Sequence, residues 1–186
     1  MKRIFDILIS ISFILILIIP MVFIGLLIFF TSKGPVLHWS DRVGQNEVIF
    51  KMPKFRTMNI QTPNVPSHLI ENVNQYFSPM GSFLRRYSLD ELPQLFSILI
   101  GDMSFVGPRP ALFNQADLIT LRREKKINYL MPGLTGWAQI NGRDNLSIIE
   151  KVNLDKEYLN NKSFSLDVKI FILTFLRVIK SKNISH

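Results

Sequence analysis

A chain of 186 residues is about one domain long, and its net charge of +8 with a pI of about 9.9 points to anionic partners: phospholipid, a phosphorylated substrate or nucleic acid. It contains no cysteine, which excludes a disulfide framework and a thiolate metal site. The three histidines, His38, His68 and His186, are scattered and form no H-E-x-x-H pair, which argues against a histidine zinc site or a Ser-His-Asp triad.

From Ile7 to Phe30 no side chain is charged. As a straight helix this run would be roughly 36 Å long, more than the ~30 Å hydrocarbon core of a bilayer needs. It is too long for a signal peptide, and no small-x-small cleavage site follows it. Lys2, Arg3 and Asp6 leave only a net +1 before the run, so nearly all of the basic charge lies beyond it. A positive-inside count then places the larger part in the cytoplasm and the short N-terminus outside. Pro20, near the middle, removes a backbone donor and clashes with the preceding turn. A single bent span and a re-entrant hairpin that enters and leaves by one face are both compatible with this composition.

After Gly34-Pro35, "VLHW" and "VIFKMPKF" are short β-branched and aromatic runs separated by "SDRVGQNE", which reads as a β-hairpin with a loop. Residues 59 to 80, polar with three prolines, read as a loop holding at most a short helix. Leu92 to Ile100, Ala111 to Tyr129 and Ser147 to Leu159 read as helices, with the turn-rich "MPGLTGWAQINGRD" between the last two. On a helical wheel of Ser165 to Lys182, Val168, Phe171, Phe175, Val178 and Ile179 share one face, and Lys169, Arg177 and Lys180 the other. Such a basic amphipathic helix either docks on a domain or lies in the headgroup plane.

The segment "SLDELPQLFSILIGDMSFVGPRP", Ser88 to Pro110, carries the chemistry. Ser88-x-x-Glu91 matches a capping box, but a helix capped there would need a backbone donor where Pro93 has none. A start at Asp90 puts Pro93 in the first turn, where it is tolerated, and sets Asp90 at the positive end of the helix dipole. A carboxylate held anionic there can cap the helix, bind Mg²⁺ or attack phosphorus. In "GPRP", a proline on each side restricts Arg109 to extended backbone and presents its guanidinium from a stiff mount, suited to a bidentate grip on phosphate. Arg85, Arg86, Lys54, Arg56 and Arg143 add positive charge. Acids for a metal, arginines for phosphate and a membrane anchor together point to phosphoryl transfer at a lipid surface.

Other phosphate machinery is missing from the sequence: there is no Walker G-x-x-x-x-G-K-[ST], no G-x-G-x-x-G and no D-x-D triplet. The run "LRREKK" at 121–126 reads as a solvated helix face. No aromatic-rich basic groove is legible, so nucleic acid is not an expected partner.

At these residues the chain resembles the small bacterial sugar transferases that act on polyprenyl phosphate, the monotopic phosphoglycosyl transferases. The resemblance rests on "KRIFDILIS", "FKMPKFRTM", "SLDELPQLFSILIGDMSFVGPRP", "MPGLTGWAQINGR" and "SLDVKI", in that order along nearly the whole chain. "TPNV" and "GPRPALFNQ" look closest to capsular-polysaccharide transferases of the CapM type.

The resemblance implies transfer of a sugar 1-phosphate from a UDP-sugar, on the capsule likeness an N-acetylated amino sugar, to undecaprenyl phosphate with Mg²⁺. It places the family's Asp-Glu dyad on Asp90, the nucleophile, and Glu91, both also metal ligands. Its phosphate-binding arginine falls on Arg109, and Arg143 and Lys54 match further positively charged motif positions; with these, Arg85 is a candidate substrate-binding cation from its charge. It also implies a monotopic protein on the cytoplasmic face of a bacterial membrane, in contact with its phospholipids. The expected fold is mixed α/β but mostly helical. A re-entrant helix over residues 1–32 carries the membrane kink at Pro20. A short β-hairpin and interfacial amphipathic helices build the catalytic domain, residues 33–186. The family breaks its first helix at a Ser-Pro pair, and here the pair is Ile19-Pro20. The competing reading is a non-catalytic membrane-anchored protein that binds anionic lipid or a partner.

Overall fold

The computed structural model describes residues 1–60, 62, 73–142 and 145–180. The architecture is mostly helical. Helix α1 (Lys2–Thr31) is followed by an antiparallel hairpin of β1 (Leu37–Val43) and β2 (Ile49–Phe55), then by the short helices α2 (Gly81–Arg86) and α3 (Gln94–Ile100). Strand β3 (Ser104–Val106) pairs in parallel with β4 (Gly133–Thr135), and α4 (Ala116–Glu124) lies between them in sequence. Helices α5 (Trp137–Ile140), α6 (Ile148–Asn161) and α7 (Phe164–Lys180) complete the described chain.

Helix α1 runs through Pro20 without ending. One face of it packs on the remainder of the protein over nearly its whole length. Ile9, Phe13, Ile14 and Leu17 lie against the main core of Phe105, Ile98, Met103 and Ile170, while Met21, Ile24 and Ile28 pack with Phe55 and Leu84 in a second cluster. The other faces leave Leu15, Ile16, Ile19 and Phe30 largely exposed.

Both ends of α1 are tied to the same body by polar bonds. Lys2 Nζ donates to Val106 O at 2.8 Å and to Asp167 Oδ2 at 2.7 Å, and Asp167 Oδ1 also accepts from Tyr158 Oη. Arg3 donates to Ile98 O and Leu99 O at the end of α3, and the Phe105 N–H donates to the buried Asp6. At the far end Arg56, itself buried, donates to the carbonyls of Ser32, Lys33 and Pro35. Lys2, Arg3 and Arg56 are therefore docking groups, whereas in sequence all three read as charges flanking the apolar run and Arg56 also as one of the cations near the acids.

The expected hairpin is present but longer, because Ser40 to Val43 belong to β1 and only a short turn, including the 3-10 turn Gln45–Glu47, remains of "SDRVGQNE". Strand alternation puts His38, Ser40 and Arg42 on one face and Trp39, Asp41 and Val43 on the other. On the His38 face Met52, opposite Ser40, belongs to the main core, while Lys54, opposite His38, lies beside Glu91.

The helix expected from Ala111 starts at Ala116, because Val43 N–H donates to Ala111 O and Leu112 bridges to Arg42, so sheet pairing overrides helix propensity there. Lys126, in a left-handed conformation, separates α4 from a 3-10 turn at Ile127–Tyr129. The parallel β3–β4 pair was not anticipated; three-residue strands carry too little periodicity to read. Helix α6 begins with a capping box, Ser147 with Glu150. Of the 59–80 loop, the described part holds a 3-10 turn at Val73–Tyr76 and a bridge from Phe77 to Met58.

Helix α7 docks by Asp167, Ile170, Phe171 and Thr174, the last sharing a 2.7 Å hydrogen bond with Thr135. Phe175, which the wheel grouped with the apolar docking face, is exposed together with Ile172 and Leu176. The side chains of Val178, Ile179 and Lys180 lie outside the described residues.

Candidate active site

The acidic pair sits on a tight turn rather than on a helix. Ser88 adopts a left-handed conformation (φ 55°), Leu89–Glu91 form a single 3-10 turn, and α3 begins only at Gln94 with Pro93 at its N-cap. The helix start expected at Asp90 is thus displaced by four residues, and the Ser88 side chain makes no capping bond, so neither sequence reading of a helix start holds. A non-glycine residue in the left-handed region stores strain, here at the residue that turns the chain into the two acids.

Helix α3 closes on Gly101, whose φ of 105° lets its own N–H and those of Asp102 and Met103 all reach Ser97 O. Strand β3 then leads directly to the Gly107-Pro-Arg-Pro loop.

That loop is anchored by close backbone packing. A Cβ on Gly107 would meet Met131 O at 2.2 Å, and one on Gly136 would meet Gly107 O at 2.1 Å, so the β3 and β4 ends approach as only glycines allow. Gly107 N–H donates to Thr135 O, and Gly133 N–H to Pro108 O.

From this mount Arg109 Nη2 reaches Glu91 Oε1 at 2.6 Å, and Lys54 Nζ on β2 reaches the same oxygen at 2.9 Å. Lys54 comes from the polar face of the hairpin, directly opposite His38. Arg42, two residues along that face, donates to Ser40 Oγ and to Pro110 O.

The two acids are in opposite electrostatic states. Burial would raise the Glu91 carboxyl, but Arg109 and Lys54 overcome it and hold Glu91 well below the usual carboxylate range. Burial pushes the Asp90 carboxyl up to about 6, against the pull of Lys54 and with help from the negative charge of Glu91. The expectation that a helix dipole depresses Asp90 is therefore overturned: there is no helix end beneath it, and desolvation dominates. Burial lowers Lys54 as well, partly offset by Glu91, and brings Arg42 down to about 10 with Arg109 contributing in the same direction.

Of the residues singled out in sequence, Asp90, Glu91, Lys54 and Arg109 converge. Arg85 stands at the rim: its Nε donates to Thr57 Oγ1 at 2.9 Å and its guanidinium lies 5.2 Å from the Phe77 ring, while its charge is felt by Asp90. Arg143 lies outside the described residues.

Sequence reasoning missed Arg42 and His38. Burial lowers the His38 imidazole, and Lys54, Arg42 and Arg85 add to the shift, which places it in the same cationic field. Carrying the period-2 alternation through "HWSDR" would have put both on the face of Lys54. The "LRREKK" run is not wholly a solvated face either. Arg122 turns inward to Asp155, and Arg123 pairs with Glu47.

Residues 1–181 match the family model for bacterial sugar transferases. The chain is 36% identical to an uncharacterized sugar transferase, EpsL, of Bacillus subtilis, over all of this chain and 91% of that protein. It is 38% identical to the UDP-glucose:undecaprenyl-phosphate glucose-1-phosphate transferase of Escherichia coli, over 95% of this chain and 40% of that protein. It is likewise 38% identical to the undecaprenyl-phosphate glucose phosphotransferase of Komagataeibacter xylinus, over 98% of this chain and 36% of that protein. The chain thus spans nearly all of the Bacillus protein but well under half of the two relatives named for a reaction.

Proposed function

Because the chain belongs to the bacterial sugar transferase family, we propose that it is a phosphoglycosyl transferase that moves a sugar 1-phosphate from a UDP-sugar to undecaprenyl phosphate and releases UMP. The observation that carries this reading is the adjacent pair Asp90 and Glu91, in opposite electrostatic states and in the field of Lys54, Arg85 and Arg109, with Arg42 in the field of Glu91.

The environments divide the labour of the two acids. Glu91 is neutralised by two cations on one oxygen and is a poor nucleophile. Asp90, made more basic by burial yet mostly ionised above its value of about 6, is the better one. In the first step an Asp90 carboxylate oxygen forms a bond to the sugar-bearing phosphorus. The bond from that phosphorus to the bridging oxygen breaks, and UMP leaves with the electron pair. In the second step a phosphate oxygen of undecaprenyl phosphate attacks the acyl phosphate, and the Asp90 carboxylate is released. Arg109 and Lys54 offset charge on the phosphate oxygens.

Mg²⁺ sites of this kind use one or two carboxylates together with substrate phosphates. The donor set fits. Asp90 and Glu91 provide two adjacent carboxylates, and no group of three acids, histidines or cysteines occurs among the described residues. These two residues would hold the ion, which supplies neutralisation of the pyrophosphate.

We place the protein on one face of the membrane, the cytoplasmic one, where UDP-sugars are found. The support is the docking of α1 at both ends. A helix crossing the bilayer in this arrangement would draw the charged hairpin and α3 into hydrocarbon with it. The exposed apolar faces of α1 then meet lipid.

The donor we propose is a UDP-linked N-acetylated amino sugar, on the likeness to capsule transferases, for the first membrane step of capsule or exopolysaccharide synthesis. The relatives named for glucose make UDP-glucose the competing donor.

The test is a donor screen with a UMP readout, followed by incubation with the preferred UDP-sugar alone. About one UMP per active site and a sugar-phosphate adduct on the Asp90 peptide are expected. UMP that appears only when the lipid is present, with no adduct, means direct transfer. No UMP under any condition leaves the non-catalytic lipid-binding reading.

A further inference from the structure

All four carbonyls from Pro108 to Ala111 are occupied, each by its own donor. Pro108 O accepts from Gly133 N–H at 2.9 Å, Arg109 O from Arg122 Nη1 at 2.8 Å, Pro110 O from Arg42 Nη1 at 3.2 Å and Ala111 O from Val43 N–H at 3.0 Å. The donor to Arg109 itself is the one that comes from a buried ion pair. The remaining nitrogens of the Arg122 guanidinium, Nε and Nη2, lie 3.0 and 2.6 Å from Asp155 Oδ2 on α6. The side chains are only 12% and 2% exposed.

A buried ion pair is a costly way to join two helices, since apolar side chains of similar volume fill such a space as well or better. Beside the loop lies a cavity of about 30 Å³ lined by Pro108, Pro110, Ala111 and Arg122 among others. Among the described residues neither Arg122 nor Asp155 bonds to Asp90 or Glu91, and the pair meets the site at the backbone of Arg109.

We propose that Arg122 and Asp155 are positioning residues: the ion pair orients the Arg122 guanidinium so that its third edge holds the Arg109 carbonyl, and thereby aims Arg109 at substrate phosphate. This rests on the reading of Arg109 as a phosphate-binding residue. Asp155 fixes the arginine, the arginine fixes the peptide, and the two prolines convert a fixed peptide into a fixed side-chain direction.

The experiment is a double-mutant cycle on single-turnover UMP release, with Asp155→Asn and Arg109→Ala made singly and together in the full chain, and with Arg122→Lys as a second probe. Both probes keep side-chain volume near native, and thermal unfolding is followed for each. Expected is a loss in the chemical rate of about fivefold or more for Asp155→Asn and for Arg122→Lys, shrinking to less than about twofold when Arg109 is already alanine. Equal losses in both backgrounds would mean that the pair serves the fold alone. No loss from either probe overturns the proposal as well. Full activity in Arg109→Ala would instead refute the phosphate role of Arg109, and the proposal with it, a result visible before any Arg122 or Asp155 variant is compared.

Discussion

Arg109 Nη2 lies 2.6 Å from Glu91 Oε1, so the arginine of the braced loop and the second acid of the turn form one charged unit, shared with Lys54 at 2.9 Å. That contact separates two adjacent carboxylates chemically. It keeps Glu91 ionised and occupied, and leaves Asp90 as the more basic member of the pair.

Replacing Arg109 by lysine keeps the charge but loses the planar fork that meets Glu91 and that, on the proposed function, grips a phosphate oxygen as well. We expect kcat/KM to fall about ten- to a hundredfold, a barrier change of about 1.4–2.7 kcal/mol, with thermal stability close to wild type. Wild-type kinetics in Arg109→Lys would make the residue a bystander.

Burying the Asp90 carboxyl costs stability. The group ionises at 3.8 unfolded and at about 6 in the fold, so the native state holds the proton more tightly. Below 3.8 both states are protonated and the cost vanishes. It grows as pH rises from 3.8 to 6, and above 6 it is constant at up to about 3 kcal/mol. Asp90→Asn should therefore abolish turnover while raising the melting temperature at pH 7.5 in chelator, with the gain fading toward pH 4. A variant no more stable than wild type at pH 7.5 contradicts the burial argument.

Lys2, Tyr158 and Asp167 join α1, α6 and α7 in one buried network. Asp167→Ala removes the counter-charge of Lys2, which keeps Val106 O as an acceptor, and the acceptor of the Tyr158 hydroxyl, and should cost about 3 kcal/mol, read as loss of melting temperature in detergent. Tyr158→Phe removes two bonds, the one given to Asp167 and the long one accepted from Lys2 at 3.3 Å, but leaves the Lys2–Asp167 ion pair, and should cost about 1–2 kcal/mol. Equal, negligible effects would show that apolar packing alone docks α1.

The chain has no cysteine, so introduced thiols report without background. One inserted after Met1 and another replacing the exposed Ser165 should both resist an impermeant maleimide in intact cells and both react after permeabilisation. Labelling of the N-terminal thiol alone in intact cells would establish a spanning helix.

The residues that converge at the candidate site could be singled out in sequence because their constraints are local. Adjacent acids before Leu-Pro, an arginine between two prolines and a 24-residue uncharged run, Ile7 to Phe30, each carry meaning without neighbours. Three things depended on residues far apart in the chain. The ionisation of Asp90 was assigned to a helix dipole, yet it follows from burial, which only the packed hairpin and loop create. Arg42 and His38 read as turn and strand filler until pairing with β2 aligned them with Lys54. Arg122 read as a solvated charge until α4 and α6 came together around Asp155. Charge count and periodicity are additive along the chain, so a sequence carries them directly. Desolvation and the pairing of distant charges exist only once the chain has closed, and they set two neighbouring carboxylates in opposite electrostatic states.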